Sequence, residues 1–444
     1  MGSPTDSKTD SGRRRDPIAE AAEKGGRILD LGMRAYLWGY PAVITARTRD
    51  YATDPLRDDS FPQNTFSHST ELYDHRNRII VKPNNDTLYS WAWVDLSRGP
   101  VTLTVPPVSR YHSFQLMDAY TNTWAYVGSR TTGSDGGTYV MVGPDAEDTG
   151  SDGATVLRSP TNHVWLFGRT LVDGPDDLAT VGEIIRGYTL SGPEIPAPQR
   201  TAPAPSPHTL PEAGLEFFDE LSRVLASDPP PEHDQGLLDE LAAVGVAAGR
   251  EPSVEITDPV VRGALGAAVG TAHRWLASYG RALSAPGWSY STKLGDYGRN
   301  YLLRASVALR GLGALTADEA IYPTTRYDKD GERLDGRQTY LLRFGPGELP
   351  PVGDDLGFWS LTMYDEDNFL VENPINRYSI GDRTPDIVYG DDGSLEIVVS
   401  RERPEPGVNW FPAPAGPFEI TMRCYLPTGT LLDGEYVVPA LCKL

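Results

Sequence analysis

Residues 110–122, RYHSFQLMDAYTN, lie over residues 357–369, GFWSLTMYDEDNF, without a gap. Ser113 falls on Ser360 and Asp118 on Asp365, with aromatic or apolar residues at the corresponding core positions. Alternation of this kind over six or seven residues marks a β-strand. The match continues in order on both sides. Upstream, VTLTVP (101–106) answers TYLLRF (339–344). Downstream, HVWLFGRTLV (163–172) answers PFEITMRCYL (417–426), which sets Arg169 opposite Arg423. Segments repeated in one order read as a duplicated β module.

Working outward, residues 17–49 repeat apolar side chains at helical spacing, with Pro41 expected to kink or break the helix. From 79 to 172 short β runs alternate with Gly, Pro, Asp and Asn, beginning with RIIVKP at 78–83. DDLATVGEIIRGYTL then opens a helical stretch, and a proline-rich linker follows in 196–214. Four more helical segments precede the second β region. The predicted organisation is an N-terminal tail (1–16), a helix and loop (17–78), a first β module (79–175), a helical lobe (176–318) and a second β module (319–444). The fold class is therefore mainly β with a substantial helical part: two related sandwich- or jelly-roll-like modules separated by a helical insertion.

Composition excludes several functions. A net charge of −21 repels phosphate backbones and anionic lipid, so neither nucleic acid nor a membrane surface is an expected partner. No apolar run is long enough to span a bilayer, and no signal-type segment follows the basic residues 13–15, so a cytoplasmic location is expected. Cys424 and Cys442 are too few for a disulfide framework or a zinc site, although adjacent strands would let them pair. No nucleotide-binding glycine motif and no nucleophile-elbow sequence stands in a convincing context. A small-molecule ligand is the expected partner, and homo-oligomerisation is compatible with the composition.

The polar segment KPNNDTLYS (82–90) precedes the aromatic run WAWVDL. Strand alternation puts Asp86, Leu88, Ser90, Ala92 and Val94 on one face, so Asp86 ends an apolar row. Asp118 ends a second such row, after His112, Phe114 and Leu116. Two carboxylates at one mouth of a sandwich would shift each other's pKa, as general acid–base work requires. His68 lies in the loop before the cluster and is a candidate partner. Asn84, Asn85, Tyr89, Tyr120, Asn122 and Arg130 are candidate substrate-positioning groups, and Asn376, Arg377 and Tyr378 are their C-terminal counterparts. The plainer reading is that Asn and Asp side chains cap turns here. No cofactor is evident. Asp86, Asn85 and Asp118 supply oxygen donors for calcium or magnesium, but fewer than such an ion requires.

At these motifs, together with YLWGYP, FWSLTMYDEDNFLVENPINRYSIGDR and NWFPAPAGPFEITMRCYLP, the chain resembles a pair of bacterial families that are usually fused. They are the domains of unknown function numbered 1254 (N-terminal) and 1214 (C-terminal). The resemblance covers about 30–175 and 320–440 and implies a two-module, largely β protein. It assigns no catalytic residue, and it implies export for many relatives, which the absent signal does not support here. The expected function is a small-molecule enzyme of lyase, isomerase or hydrolase type, with its pocket in or between the β modules. The rival is a non-catalytic ligand-binding or scaffold protein.

Overall fold

A computed structural model describes residues 16–78, 80–147, 153–207, 214–282, 287–353 and 355–444. Of the predicted tail only Asp16 falls among them. Its carboxylate accepts the Ile18 N–H at 2.9 Å and caps the first helix.

That helix, α1 (Pro17–Ala52), runs through Pro41 rather than ending there. Burial outweighs the lost hydrogen bond: Tyr36, Trp38, Tyr40 and Val43 all sit in one core with the later helices. The first module contains β1 (Ser67–His68), β2 (Thr87–Asp95), β3 (Val101–Val105), β4 (His112–Met117), β5 (Thr123–Gly128), β6 (Gly137–Val142), β7 (Thr155–Arg158), β8 (His163–Leu171) and β9 (Thr189–Ser191). α2 (Leu178–Arg186) packs on the core of the first module through Val181 and Ile185, and the helical lobe carries α3 (Glu216–Ser227), α4 (Gln235–Ala242), α5 (Pro252–Glu255), α6 (Pro259–Ala282) and α7 (Tyr301–Arg310). The second module follows with β10 (Ala320–Ile321), β11 (Thr324–Thr325), β12 (Tyr340–Phe344), β13 (Phe358–Tyr364), β14 (Ser379–Gly381), β15 (Leu395–Ser400), β16 (Asn409–Pro412) and β17 (Glu419–Tyr425). A short helix α8 (Gly429–Leu432) and β18 (Cys442–Lys443) complete it.

Strand order makes the duplication explicit. The first module pairs β1-β2-β8-β4-β5 in one sheet and β7-β6-β3-β9 in the other. The second pairs β10 and β11 with β17, then β13 and β14, against a sheet ordered β16-β15-β12-β18. Even the unusual parallel pairs correspond, β6 with β7 and β15 with β16. Ser113 sits opposite Arg169, and Ser360 opposite Arg423. Each module is a sandwich, and the strand order lends no support to the jelly-roll description. Cys424 and Cys442 lie in opposite sheets as free thiols.

The first module differs from the sequence reading at both ends and in one strand: β1 pairs with β2 ahead of residue 79. β9 returns after α2 to pair with β3, so the first module runs on to Ser191 instead of stopping at 175. Of the strand expected at 78–83, residues 80–83 are loop, and Lys82 has a φ of +50°.

β2 is buried along its whole length. Leu88, Ala92 and Val94 face the sandwich core, as alternation requires. The opposite row, Tyr89, Trp91 and Trp93, packs into the helical lobe with Trp165 and Phe167. A strand covered on both faces explains why three large aromatic side chains, Tyr89, Trp91 and Trp93, fill one of its rows. The modules meet through their first sheets, where Tyr111, Leu171, Phe358 and Tyr425 share one cluster. Tyr111 corresponds to Phe358 and Leu171 to Tyr425 in the duplicated register. Equivalent residues packed on each other are the mark of a pseudo-two-fold contact.

Candidate functional site

The approach to β2 is built by Asn84. Its Oδ1 accepts the N–H groups of Asp86 and Thr87, at 2.9 and 3.0 Å, and its own N–H donates to the Tyr89 hydroxyl at 2.8 Å. Asn84 therefore does the turn work that its residue type suggests. Asn85 donates to the Tyr73 carbonyl at 2.7 Å.

Asp86, held by this turn, reaches across to the second module. Its carboxylate accepts the Ser360 hydroxyl at 2.7 Å, at the edge of a cleft of about 780 Å³. Burial pushes the carboxyl above the ordinary aspartate range, against the charge of Arg423 and the hydroxyls of Ser360 and Ser379. The same cleft collects Asn85, Asn376, Arg377 and Tyr378 from the sequence candidates. Tyr378 places its hydroxyl 2.7 Å from His75 Nδ1. Arg377 is tied to the Trp410 carbonyl at 2.9 Å. Asp382 stands behind the cleft: burial, with the nearby Asp86 charge adding to it, pushes its carboxyl up to about 6, and its Oδ1 is buried without a hydrogen-bond partner.

The remaining candidates do not converge there. Asp118 follows Met117, whose partner Trp165 lies opposite Trp93, whereas Asp86 precedes Thr87 at the far end of β2. Eight residues at ~3.3 Å each put the two carboxylates about 25 Å apart along the sheet. The paired-carboxylate site and the calcium or magnesium set of Asp86, Asn85 and Asp118 are therefore not assembled. Asp118 instead caps a turn, accepting the Tyr120 and Asn122 N–H groups at 2.9 and 2.8 Å and the Asn122 side chain at 2.9 Å. Tyr120 is buried among the helices, its hydroxyl donating to the Asp228 carbonyl at 3.0 Å. His68 opens on a separate cavity of about 500 Å³, with Nδ1 2.8 Å from the Ser90 hydroxyl, and burial holds its pKa down. Arg130 pairs with Asp318 at 2.8 Å and Glu319 at 2.7 Å. Its true counterpart is Arg383, because Gly128 and Gly381 pair with Ser113 and Ser360; Arg377 belongs to an insertion. Among the described residues no group of three His, Cys, Asp or Glu side chains is placed to hold a metal.

Ser360, Asp382 and Glu319 are the residues that sequence reasoning missed. The signal was present in the duplication: Thr87 pairs with Leu171 as Ala320 pairs with Tyr425, so Asp86 corresponds to Glu319. Glu319 is neutralised by Arg130 and accepts the Tyr111 hydroxyl at 2.8 Å. Asp86 has neither partner. Tyr111 is replaced by Phe358, which has no hydroxyl, and Arg383 turns to Asp173 at 3.2 Å.

Family models match the chain twice: protein of unknown function (DUF1254) over residues 63–192, and protein of unknown function (DUF1214) over residues 319–429. These spans coincide with the two sandwiches. The crystal structure of the VPA0106 protein from Vibrio parahaemolyticus is similar at 25% identity, over 94% of this chain and 100% of that one, with a TM-score of 0.68. A protein from Burkholderia cenocepacia matches at 14% identity over 96% of each chain, with a TM-score of 0.46. No curated protein matches the sequence.

Proposed function

For a chain that joins a DUF1254 domain to a DUF1214 domain, we propose a small-molecule enzyme whose acid–base group is Asp86 in the cleft between the modules. One observation carries the reading. Of two equivalent acids, Glu319 is locked by a cation and a phenol, while Asp86 is bound by hydroxyls and opens on a cleft. A carboxyl that burial holds above the ordinary aspartate range, with no ion pair, suits proton transfer in the manner of a lyase, isomerase or hydrolase. Asn85 and Tyr378 border the same space and would orient a substrate there. A cytoplasmic setting completes the proposal, and the two free thiols are compatible with it.

The test is turnover. Purified protein incubated with a cellular small-molecule extract should consume at least one compound repeatedly, followed by mass spectrometry. Asp86→Asn should fold and lose that turnover by about 100-fold or more, the range of general acid–base contributions. The wild-type pH–rate profile should show an inflection above the ordinary aspartate value of ~3.9. A folded Asp86→Asn protein that turns over at the wild-type rate sinks the assignment.

A further inference from the structure

A second cavity, of about 250 Å³, lies between the modules and the end of α7. Its wall contains Arg169 and Arg423, the two arginines that the duplication aligns, together with Phe167, Tyr89, Tyr322 and Tyr425. Arg169 is 6% exposed and Arg423 3% exposed. Each is held in the same way. Arg169 donates to Gln115 Oε1 at 3.1 Å and to the Phe167 and Gly313 carbonyls at 3.4 and 2.9 Å. Arg423 donates to Thr362 Oγ1 at 2.8 Å and to the Lys82 and Pro83 carbonyls at 2.8 and 3.5 Å. Gln115 and Thr362 are themselves equivalent positions, opposite Phe167 and Thr421.

All of these acceptors are neutral. Among the described residues, no carboxylate comes within ion-pair distance of either guanidinium. Glu419, on the same face of β17 as Arg423, is taken up by Lys82 and Arg326. Asp86 acts on Arg423 only at longer range, from the neighbouring cleft. Buried cations are paired or they are costly. Two of them, placed by duplicated strands against one aromatic cavity, form half of an ion pair whose other half is missing. A guanidinium presents a fork of N–H donors that fits a carboxylate, and the aromatic rings fit an apolar body.

We propose that this chamber is an anion-binding site that takes a small organic carboxylate with an apolar body, its charged end held by Arg169 and Arg423. The volume suits an acid the size of a benzoate or a short branched chain, and tyrosine and phenylalanine surround the uncharged part. The inference stands apart from the role of Asp86, which faces the other cavity.

Calorimetric titration of the full chain with a graded set (acetate, isobutyrate, benzoate, phenylacetate, benzyl alcohol and inorganic phosphate) tests it. At least one apolar carboxylate should bind saturably at one site per chain, at least tenfold tighter than acetate, phosphate and benzyl alcohol. Arg169→Met and Arg423→Met should each weaken that binding tenfold or more while circular dichroism and cooperative unfolding persist. Arg423→Lys, which keeps the charge and loses the fork, should fall between and serves if the methionine variant does not fold. Asp86→Asn should leave carboxylate binding equal or tighter, so loss of turnover in that variant with binding intact separates the two readings. The proposal is overturned if no carboxylate binds, if benzyl alcohol or phosphate binds as well as the best carboxylate, or if the arginine variants bind it unchanged.

Discussion

Asp86 and Glu319 stand at one place in two copies of one module, immediately before equivalent strands, and each reaches into the opposite module. Their surroundings have diverged in opposite directions. Glu319 keeps Arg130 and the Tyr111 hydroxyl and is 1% exposed, a satisfied buried ion pair. Asp86 keeps only hydroxyls, because Phe358 and a redirected Arg383 stand where those partners would be. A duplicated fold thus holds an internal control: what both copies share is architecture, and where they part is where function has room. The comparison breaks most readily at Glu319. Glu319→Gln leaves Arg130 with the more exposed Asp318 alone and should lower stability by about 3–5 kcal/mol. Asp86→Asn should be neutral or stabilising, since it removes a carboxylate that burial disfavours. Urea unfolding of the two variants side by side reads the contrast, and equal losses would erase it.

Features common to both copies should respond alike. Gly128 and Gly381 pair with Ser113 and Ser360. A Cβ at Gly128 would lie 2.3 Å from the His112 carbonyl oxygen, and one at Gly381 would lie 2.1 Å from that of Trp359. Backbone cannot yield as a side chain tip can, so each Gly→Ala change should cost about 2–4 kcal/mol. Thermal unfolding of each variant checks the pair. A loss at one glycine alone would mean that the modules do not share this strand crossing.

The duplication was legible because strand alternation and a few polar anchors survive in both copies. Ser113 with Ser360 and Arg169 with Arg423 mark equivalent positions in the sequence, and in the structure each serine lies opposite the arginine of its own module. The longer helices were legible from their periodicity, while the four-residue α5 and α8 carry too few residues to show one, and Pro41 could not reveal a core strong enough to carry α1 through it. The site was read less well. Alternation assigns each acid a face of its own strand, but not which end of a sheet it occupies, since that depends on antiparallel register between strands distant in sequence. The two acids looked like a pair and lie at opposite ends. Arg130 was matched to Arg377 because the insertion before β14 hides the true alignment, which Gly381 reveals only through its pairing.

The turns that end β4 and β13 show the same chemistry at different depth. Asp118 Oδ1 accepts N–H groups two and four residues on, and Asp365 Oδ1 does the same with Asp367 and Phe369, both at 2.9 Å. Asp118 is 5% exposed and takes a further bond from Asn122, whereas Asp365 is partly exposed beside Arg78. Removing a buried cap strands its donors without water to replace it. Asp118→Ala should therefore cost about 2–3 kcal/mol and Asp365→Ala about 1 kcal/mol. A larger loss at Asp365, read by chemical denaturation, would contradict the burial argument.

The smallest expected effect comes from exchanging one residue for its sister. Ser129 accepts the His112 N–H at 2.9 Å, and its counterpart Asp382 accepts the Trp359 N–H at 3.3 Å. The bond is the same, but Asp382 adds a buried charge whose second oxygen is unpartnered. Its folded pKa of about 6 exceeds the unfolded value of ~3.9, so the native state holds the extra proton between those limits. Stability from this group is therefore greatest below about pH 4 and declines as pH rises through about 6. Asp382→Ser should remove the decline. The variant should gain about 1 kcal/mol at pH 7, less than the full shift implies because the group is partly exposed. Its unfolding free energy should also be flatter than that of the wild type between pH 4 and 6. Urea melts at half-unit pH steps decide it: parallel profiles would mean that Asp382 finds a partner in solution and that the two copies differ there in name only.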